Sequence, residues 1–478
     1  MRVAEQKSQH NMDIRRVIFI VGVMVSGGFI TMLNQTVLTP ALPHIMADTG
    51  VSANVAQWLT TVFMLVSAVM IPITAFLISR FTTRRLFMVS MFSFSFGSLL
   101  CAVSQGFGLV LLGRVFQACG AGVMMPLCQT VTMLLVPRER RGTAMGIIGL
   151  VMALAPAIGP TLSGWMIDVF NWHAMFYVIA LLGAADIITA FFVLQNVGEA
   201  GRPHLDILSV VYSTLGLAAF LYGCSLAGDG GLLHPQTLLM LALGIAVLVL
   251  FVRRQLTLQE PFLELKVLRH REFMIATIIV MILNAALICA TVLMPIYMQN
   301  IQGLSAMQSG LVMLPGAICM AVLNVLSGHI FDKQGPRRLA LLGIGLLTVS
   351  SCFFMLLDVG SGFGWISFIY TLRMVGMSMA MMPITTWGLN TLDNRQLPHG
   401  TAVNNTLRQV SGSLGTTLFV AVMTMCAATR ADEGYIASNL FGLHMAFGLI
   451  AVFCGVAWVL TLFFVRQPVK YGTIRGRQ

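Results

Sequence analysis

Apolar residues in this chain occur in long runs, separated by short groups of charged, glycine and proline residues. About 20 consecutive apolar residues are enough for a helix to cross a lipid bilayer. The pattern predicts fourteen spanning helices, and if the two weakest, the seventh and eighth, are left out, twelve remain. The predicted spans lie at about 17–38, 55–78, 86–104, 106–136, 142–166, 172–194, 206–227, 234–252, 273–297, 306–331, 337–357, 362–390, 400–425 and 440–465.

The composition leads to the same fold class. Of 478 residues, 57% are hydrophobic and 9% are charged, whereas soluble domains carry about 25% charged residues. So few charges cannot cover a soluble core of this size. The apolar runs are continuous rather than alternating, which argues against a transmembrane β-barrel. We therefore predict an all-α polytopic membrane protein.

The positive charge of the chain follows the predicted topology. The formal net charge is +11, from 28 Lys and Arg residues against 17 acids. With a cytoplasmic N-terminus, only Arg430 lies in an outer segment, and only Arg114, Arg373 and Arg408 lie within spans. All other basic residues are then cytoplasmic, as the positive-inside rule requires. We expect both termini in the cytoplasm and basic loops against anionic lipid, with no nucleic acid as a partner.

No motif predicts a cofactor, a metal or catalysis. The nine cysteines lie in apolar segments without CxxC spacing and are interpreted as small apolar side chains. The sequence has no G-x-x-x-x-G-K-[ST] loop that would indicate an ATP motor. No carboxylate pair lies within a predicted span, so we expect no enzyme activity and no cofactor. The N-terminal segment shows no cleavable signal pattern, and we expect the first helix to remain as an anchor.

The chain contains an internal repeat. The loop "TAFLISRFTTRRL" (74–86) matches "LSGHIFDKQGPRRL" (326–339) at one constant offset. At that offset Arg84 and Arg85 match Arg337 and Arg338, whereas Ser79 stands opposite Asp332. Parallel halves of this kind form transporters whose substrate site lies between them. The span count and the offset predict six-helix bundles at 1–200 and 271–478, with two inserted helices and a cytoplasmic linker at 201–270.

Four motifs, in order along the chain, resemble one family. "LLGRVFQACGAG" is similar to GRxxQGxGxG, "LAPAIGPTLSGW" to GxxxGPxxGG and "GHIFDKQGPRR" to GxxxDxxGxRR, and "NNTLRQVSGSLG" resembles a late helix of the same group. The chain is therefore identified as similar to the major facilitator superfamily, in its fourteen-helix drug:proton antiporter branch (EmrB/QacA/LmrB-like). The resemblance extends over essentially the whole length. It implies the major facilitator fold, two six-helix bundles plus two inserted helices, and proton-coupled export.

The fifth predicted helix carries helix-weakening residues, namely Pro156, Gly159, Pro160 and Gly164. Proline costs about 3 kcal/mol in the interior of a soluble helix. In a membrane, small residues let helix backbones approach closely, and neighbours satisfy the groups that proline frees. By resemblance, this motif seals the outer part of the interface between the two halves of an exporter. Static close packing is the alternative.

The few charges predicted within the bilayer are candidates for function, because burying them is costly. Asp186 is the only acid well inside a span, and a carboxyl group there can take up and release a proton. Arg114 occupies the position that the resemblance connects with proton transfer. A purely structural role remains open for both residues, including a fixed ion pair of Asp186 with an arginine.

Two features depart from the branch. Its first helix commonly carries an acid in a pattern near LDxTIVNVALP, but this chain has "LNQTVLTPALP", with Asn34 and Gln35. Neither amide can carry a proton, so proton coupling depends on other residues. In the first-half loop Ser79 replaces the expected acid. We expect the second-half loop to hold helix ends at the cytoplasmic side through charges and helix dipoles. The candidate gating residues are Arg84, Arg85, Gly328, Asp332, Gly335, Arg337 and Arg338.

We expect an apolar cavity with a few polar side chains between the halves. The chain has 33 methionines, with clusters in "GVMMP" (122–126) and "MSMAMMP" (377–383), and methionine adapts to ligands of many shapes. Contact with lipid is the alternative role for these side chains. The candidate polar points are Asn34, Gln35, Gln117, Asn284, Arg373, Asn404 and Arg408.

These observations predict a secondary multidrug exporter of the bacterial inner membrane that works by alternating access. Its expected partners are amphipathic small molecules, protons, membrane lipid and, as in some EmrB-like relatives, a periplasmic adaptor protein. Two alternatives stay open. One is a lipid or lysolipid flippase on the same fold, and the other is a transport-inactive sensor or assembly protein.

Overall fold

The computed structural model describes residues 14–197, 201, 205–231 and 234–466. Within these residues it has fourteen helices long and apolar enough to cross a membrane and no strand, which confirms the predicted class and number. The predicted cytoplasmic termini fall partly on 1–13 and 467–478, outside the described residues. The helices are α1 Ile14–Thr49, α2 Ala53–Arg80, α3 Thr83–Ala102, α4 Phe107–Leu135, α5 Arg141–Val169, α6 Trp172–Val193, α7 Ile207–Gly230, α8 Pro235–Thr257, α9 Arg271–Ile296, α10 Ala306–Gln334, α11 Pro336–Phe354, α12 Phe363–Leu389, α13 Leu397–Ala428 and α14 Tyr435–Phe464.

The first helix is longer than predicted. The sequence pattern ends it near 38, but α1 continues through Pro40 and Pro43 to Thr49. The helix ends only at Gly50, whose positive φ of 68° is a left-handed conformation that favours glycine. Proline therefore did not mark the end of this helix, and α5 likewise continues through both of its prolines.

The chain divides into two compact units. One comprises the described residues up to Arg138, Val151–Leu268 and Leu392–Thr417, and the other comprises Glu139–Leu150, Arg269–Thr391 and the described residues from Leu418 onward. Helices α5 and α13 each contribute residues to both units. The boundaries predicted from the sequence, which place the two bundles at 1–200 and 271–478, stay a prediction.

The same helix pairings occur in both units. In the first unit α1 packs on α4 and α6, α2 packs on α4, and α3 packs on α4 and α6. In the second unit α9 packs on α12 and α14, α10 packs on α12, and α11 packs on α12 and α14. Each helix of the second set is the counterpart of one in the first, so the sequence repeat corresponds to a repeated helix arrangement.

The two inserted helices form a hairpin within the first unit. Helix α7 packs on α8 and on α2, and Ala68, Phe220, Leu221 and Cys224 form a buried apolar cluster. Gly244 of α8 is packed against the α7 backbone, because a Cβ there would lie 2.5 Å from the nitrogen of Phe220. The weakest two predicted spans are therefore present, and small residues explain their close contact.

An ion pair ties the hairpin together at the start of α7. Asp206 accepts hydrogen bonds from Nε (2.6 Å) and Nη2 (2.9 Å) of Arg254. It also caps α7 by accepting from the backbone nitrogen (3.3 Å) and the hydroxyl of Ser209. The hydrogen bond from Arg254, with a smaller contribution from Ser209, lowers the pKa of Asp206 to about 2.

Asp206→Asn is expected to lower the free energy of unfolding by about 0.5 kcal/mol at neutral pH, because it removes the charge of a partly exposed ion pair while the asparagine oxygen still caps the helix. The folded-state pKa lies below the usual value of about 4. The native contribution is therefore complete above that value and is lost as pH falls toward about 2. Thermal unfolding in detergent between those two pH values should be less acid-dependent in the variant. An unchanged slope would contradict the assignment.

Candidate functional site

A buried polar network joins four helices of the first unit. Arg114 of α4 donates from Nη1 to Oε1 of Gln117 at 2.8 Å, and Asn34 of α1 donates to the same oxygen at 3.1 Å. Gln117 in turn donates from Nε2 to the hydroxyl of Ser98 on α3 at 2.9 Å. Arg114 also donates from Nε to the carbonyl of Leu59 on α2 at 3.2 Å. Three of the predicted site residues are therefore in direct contact.

Arg114 is a buried cation held by dipoles and a ring. Its side chain is 1% exposed, and its guanidinium carbon lies 4.2 Å from the ring centroid of Phe63. Among the described residues no salt bridge includes it. Carbonyl and amide oxygens together with the π-face of Phe63 compensate its charge.

Asp186 of α6 lies against α1. Its Oδ1 accepts a hydrogen bond from the hydroxyl of Ser26 at 2.6 Å, and its side chain is buried. Its Oδ2 lies beside Gly27, where a Cβ would be 3.0 Å from that oxygen and from Cζ of Phe87. Among the described residues Oδ2 has no hydrogen-bond partner. The hydrogen-bond partner of Asp186 is a serine hydroxyl and not an arginine, which argues against the alternative of a fixed ion pair.

Arg373 is the counterpart of Arg114 in the second unit. It is fully buried and donates from Nη1 to the hydroxyl of Ser351 at 2.8 Å and from Nη2 to the carbonyl of Ala286 at 2.7 Å. Ser351 follows Ser98 by the same offset that relates Arg84 to Arg337. Each unit therefore has one buried arginine whose hydrogen bonds lead to the matching serine, through Gln117 in the first unit and directly in the second.

The carboxylate of Asp332 binds the N-terminus of α5 within the second unit. It accepts from the backbone nitrogens of Gly142 (2.7 Å) and Thr143 (2.8 Å) and from the hydroxyl of Thr143 (2.6 Å). A Cβ at Gly328 would collide with the carbonyl of Gly142. An anion at a helix N-terminus is stabilised by the unpaired N–H groups and the dipole. Because Gly328 has no side chain, α10 packs closely against the start of α5, and the carboxylate of Asp332 can reach the α5 N-terminus.

The arginines of the two repeat loops contact helix C-termini. Arg337 donates from Nη2 to the carbonyl of Leu462 in the last turn of α14 at 3.1 Å. Arg84 donates from Nη2 to the carbonyl of Phe191 in the last turn of α6 at 2.5 Å and lies 4.6 Å from its ring. Cations suit this end of a helix dipole. The second-half loop therefore contacts a helix N-terminus through Asp332 and a helix C-terminus through Arg337.

The remaining gating residues have simpler surroundings. Arg85 is exposed and lies 5.5 Å from the ring centroid of Phe81, and Arg338 is exposed. Gly335 follows α10 with a φ of 79°, a conformation that favours glycine. The hydroxyl of Ser79 donates to the carbonyl of Ala75 in its own helix at 2.9 Å. Ser79 therefore does not repeat the role of Asp332.

The antiporter-motif helix packs on α1 through its small residues. A Cβ at Gly159 would collide with Thr36, and Ser163 donates to the carbonyl of Val37 at 2.7 Å. Pro156 and Pro160 are exposed, while Gly164 is half-buried with open space around its Cα. The glycine and serine face thus makes the helix contact, and the prolines lie outside it.

The other cavity candidates lie on α1, α9 and α13. Asn284 and Asn404 are buried, and Gln35 is half-buried. Arg408 is half-buried and donates from Nη1 to the sulfur of Met152 at 3.6 Å.

Several site residues were not predicted from the sequence. Ser26, Ser98 and Thr143 bind predicted residues directly, and Asn324 donates to the carbonyl of Gly149 at 2.9 Å. Serine and threonine are common in membrane helices, so their identity alone gives no signal. The repeat offset, which pairs Ser98 with Ser351, was the one available signal.

Comparisons with known proteins agree with the motifs. The family model described as Major Facilitator Superfamily matches residues 24–416. The chain is 43% identical to "Uncharacterized MFS-type transporter YcnB" of Bacillus subtilis (strain 168), over 94% of this chain and 95% of that protein. It is 37% identical to "Lincomycin resistance protein LmrB" of the same strain, over 84% and 85%. It is 30% identical to "Multidrug resistance protein B homolog" of Mycobacterium tuberculosis (strain CDC 1551 / Oshkosh), over 84% and 75%.

The fold also matches a solved structure. The human organic anion transporter MFSD10 (TETRAN) aligns with a TM-score of 0.66 at 14% identity, over 93% of this chain and 99% of that one. At this identity the match shows the fold alone. Together with the family model and the relatives, it confirms the resemblance derived from the motifs. The chain is a multi-pass membrane protein that belongs to the major facilitator superfamily, with LmrB-type proteins among its relatives.

Proposed function

We propose that this protein is a secondary active exporter of amphipathic drugs or toxic metabolites, driven by protons and working by alternating access. In this proposal it resides in the bacterial inner membrane with both termini in the cytoplasm, and a periplasmic adaptor is a further proposed partner. Two relatives carry names of lincomycin or multidrug resistance proteins. Those names support the substrate class proposed for this chain.

The observation that carries proton coupling is the contact between Asp186 and Ser26. It places a buried carboxyl group against α1 in the middle of a predicted span. An ionised Asp186 accepts the hydrogen bond of Ser26, whereas a protonated one also has a proton to donate. Uptake of a proton therefore changes the contact between α6 and α1.

Helix α1 connects this carboxyl group to the rest of the network. About two turns beyond Ser26, Asn34 binds Gln117 beside Arg114. Further along, Thr36 contacts the α5 backbone by donating to the carbonyl of Ala155 at 3.3 Å. A displacement of α1 after protonation of Asp186 would reach α4 and α5 through these bonds. This gives proton uptake a mechanical route to the helices that carry the family motifs.

The proposed ligand class rests on the methionines of α4 and α12. Met124, Met125, Met377 and Met381 are buried, and the methyl group of Met125 would lie 3.8 Å from a Cβ at Gly28 of α1. Flexible thioethers adapt to apolar ligands of different shape. We therefore expect recognition by size and apolar surface rather than by a fixed set of hydrogen bonds.

A lipid or lysolipid flippase on the same fold is the second candidate. The observation favouring it is the pair Asn34 and Gln35, since neither residue of α1 at this position can carry a proton. A flippase would move fluorescent lipid between the leaflets of reconstituted vesicles. Drug export would not be accompanied by that movement.

Proteoliposomes with an imposed pH gradient and a trapped pH dye test the coupling. Adding a fluorescent amphipathic cation is expected to cause proton movement with the wild-type protein and none with Asp186→Asn, because the amide cannot exchange a proton. Asp206→Asn, which removes an acid outside the spans, is the matched control and should behave as wild type. Ligand transport without proton movement in the wild type would refute antiport but leave export standing.

A further inference from the structure

Helix α6 carries Asp186 between two other helices of the first unit, because it packs on both α1 and α3. The contact with α1 includes the hydrogen bond from Ser26 to Oδ1 of Asp186. The contact with α3 includes a serine hydroxyl that has no hydrogen-bond partner among the described protein groups, that of Ser95. Its side chain is buried, and Oδ2 of Asp186 is unpartnered in the same way. Two unused oxygens therefore lie in adjoining contacts of one helix.

The absence of a side chain at Gly183 lets Ser95 approach α6. A Cβ at Gly183 would collide with Oγ of Ser95 and would lie 3.8 Å from Cε of Met91. Asp186 follows Gly183 by three residues, so the two positions share a face of α6, with about 5–6 Å between their Cβ sites. A carboxyl group directed from one site toward the other covers about half of that distance. Rotation of the Asp186 side chain can thus bring Oδ2 within hydrogen-bond distance of Ser95.

The protonation state of Asp186 decides which kind of partner it needs. An ionised carboxylate only accepts hydrogen bonds, and Ser26 supplies the donor. A protonated carboxyl group also has an O–H to donate, and a buried donor without an acceptor is costly. A serine hydroxyl can accept a hydrogen bond. The unpartnered Oγ of Ser95 offers that acceptor on the opposite side of α6 from an ionised partner.

The second unit has neither half of this arrangement. The offset that relates Arg84 to Arg337 places Thr348 opposite Ser95. The hydroxyl of Thr348 donates to the carbonyl of Ile344 in its own helix at 2.9 Å. Helix α14, the counterpart of α6, contains no Asp or Glu. The unpartnered hydroxyl thus occurs in the unit whose helix carries the buried acid.

We propose that Ser95 is a positioning residue that accepts the O–H of protonated Asp186. It deepens the proton coupling proposed above, on which it rests. A proton taken from water forms the O–H bond at Oδ2, and this group then donates to Ser95, which itself gains and loses no proton. When that O–H bond breaks, the proton returns to water and the carboxylate accepts from Ser26 again. Proton uptake therefore moves a hydrogen bond of α6 from α1 to α3.

The new bond would form close to the Arg114 network. Ser98 lies three residues beyond Ser95 on α3, and its hydroxyl accepts from Nε2 of Gln117 at 2.9 Å. Arg114 donates to the same Gln117 side chain. The protonated state of Asp186 thus acts on α3 one turn away from the network, in addition to its effect through α1.

Asp186 shares its three helices with several other ionisable groups. Among the described residues these are Arg15, Arg16, His44 and Asp48 of α1, Arg84, Arg85 and Cys101 of α3, and His173 and Tyr177 of α6. No salt bridge between described residues joins any of them to Asp186. Subtracting the titration curve of an Asp186→Asn protein removes their contribution.

Potentiometric titration of the purified protein in detergent tests the proposal without substrate or gradient. The difference between each protein and its own Asp186→Asn variant reports proton binding at Asp186. Ser95→Ala is expected to weaken that binding about fivefold, which moves the midpoint about 0.7 unit to lower pH, because the protonated form loses its acceptor. Ser26→Ala is expected to move the midpoint to higher pH, because the ionised form loses its donor.

Thr348→Ala is the matched control and should leave the midpoint unchanged, since Thr348 donates within its own helix. Ser95→Cys is of nearly the same size and keeps only a weak acceptor, so it should move the midpoint in the same direction as alanine but less. It decides the question if the alanine variant does not fold. A midpoint at or above the wild-type value in a folded Ser95 variant overturns the proposal. A wild-type curve identical to that of Asp186→Asn overturns it as well.

The proposed function fails by a different result. Proteoliposomes in which ligand export moves no protons would refute proton coupling, whatever the titration shows. The titration still decides whether Ser95 accepts the proton-bearing group of Asp186, because it measures binding and not transport. The two failures are therefore distinguishable.

Discussion

Arg114→Met is expected to reduce transport by about 100-fold while leaving the thermal stability of the protein close to that of the wild type. The two effects have different origins. Transport loses a cation that joins α4 to α2 directly and to α1 and α3 through Gln117. The folded state also loses these hydrogen bonds. However, it no longer contains a charge that is buried without a carboxylate partner among the described residues.

The opposing terms in the stability change are of similar size. Hydrogen bonds to a charged group contribute about 1.5–3 kcal/mol each, and Arg114 makes two. Desolvation of a buried ion costs several kcal/mol, and replacing buried ionic groups by well-packed apolar ones is often neutral or stabilising. Arg114→Lys keeps the charge but loses the planar fork that reaches two oxygens at once. We therefore expect the lysine variant to be less stable than the methionine variant.

Circular dichroism melts and transport rates of Arg114→Met, Arg114→Lys and Arg373→Met measure both effects. Arg373→Met is the matched variant in the second unit, because Arg373 is also buried and bonds to Ser351 and Ala286. A large fall in melting temperature for Arg114→Met would show that the arginine serves folding. Transport at the wild-type rate would remove Arg114 from the proposed coupling route.

The helices were predictable because their signal is local. A bilayer sets one length for every span, so apolar runs and their interruptions locate all fourteen helices within a few residues at most ends. The end of α1 differs most from the prediction. Pro40 and Pro43 are typical of a helix end, but neighbouring helices satisfy the backbone groups that proline frees, and Gly50 marks the end.

The partners of the site residues were much less predictable, because they come from helices far away in sequence. The composition of α6 singles out Asp186, but only packing shows that Ser26 binds it. Arg114 and Gln117 are neighbours on one helix, so their contact follows from spacing.

Contacts between helices that are distant in sequence cannot be predicted from local patterns. The contact of Asn405 with Gln129 follows from no local pattern, because 276 residues separate the two side chains. The internal repeat gives some information about distant positions, because its constant offset relates Ser98 to Ser351. It relates equivalent positions of the two halves, however, and not the two partners of a contact.

The largest effect in the second unit is expected for Asp332→Ala, which should raise the amide exchange rate at Gly142 and Thr143 by about 100-fold and abolish transport. The variant removes three hydrogen bonds to a charged acceptor at the N-terminus of α5. Their sum is discounted because Asp332 is only half-buried. A loss of about 3 kcal/mol corresponds to the stated factor.

Two variants separate the roles of charge and hydrogen bonding. Asp332→Asn keeps an acceptor oxygen but loses the interaction of the charge with the helix dipole, worth about 0.3–1 kcal/mol at exposed sites, so its exchange rates should lie between those of wild type and alanine. Ser79→Ala is the matched control, because Ser79 holds the equivalent repeat position but donates only to Ala75 within its own helix. Hydrogen exchange read by mass spectrometry over residues 141–146 measures all three. Equal protection of α5 in wild type and Asp332→Ala would show that this carboxylate does not hold the helix, and Asp332 would then have no part in closing the cytoplasmic side.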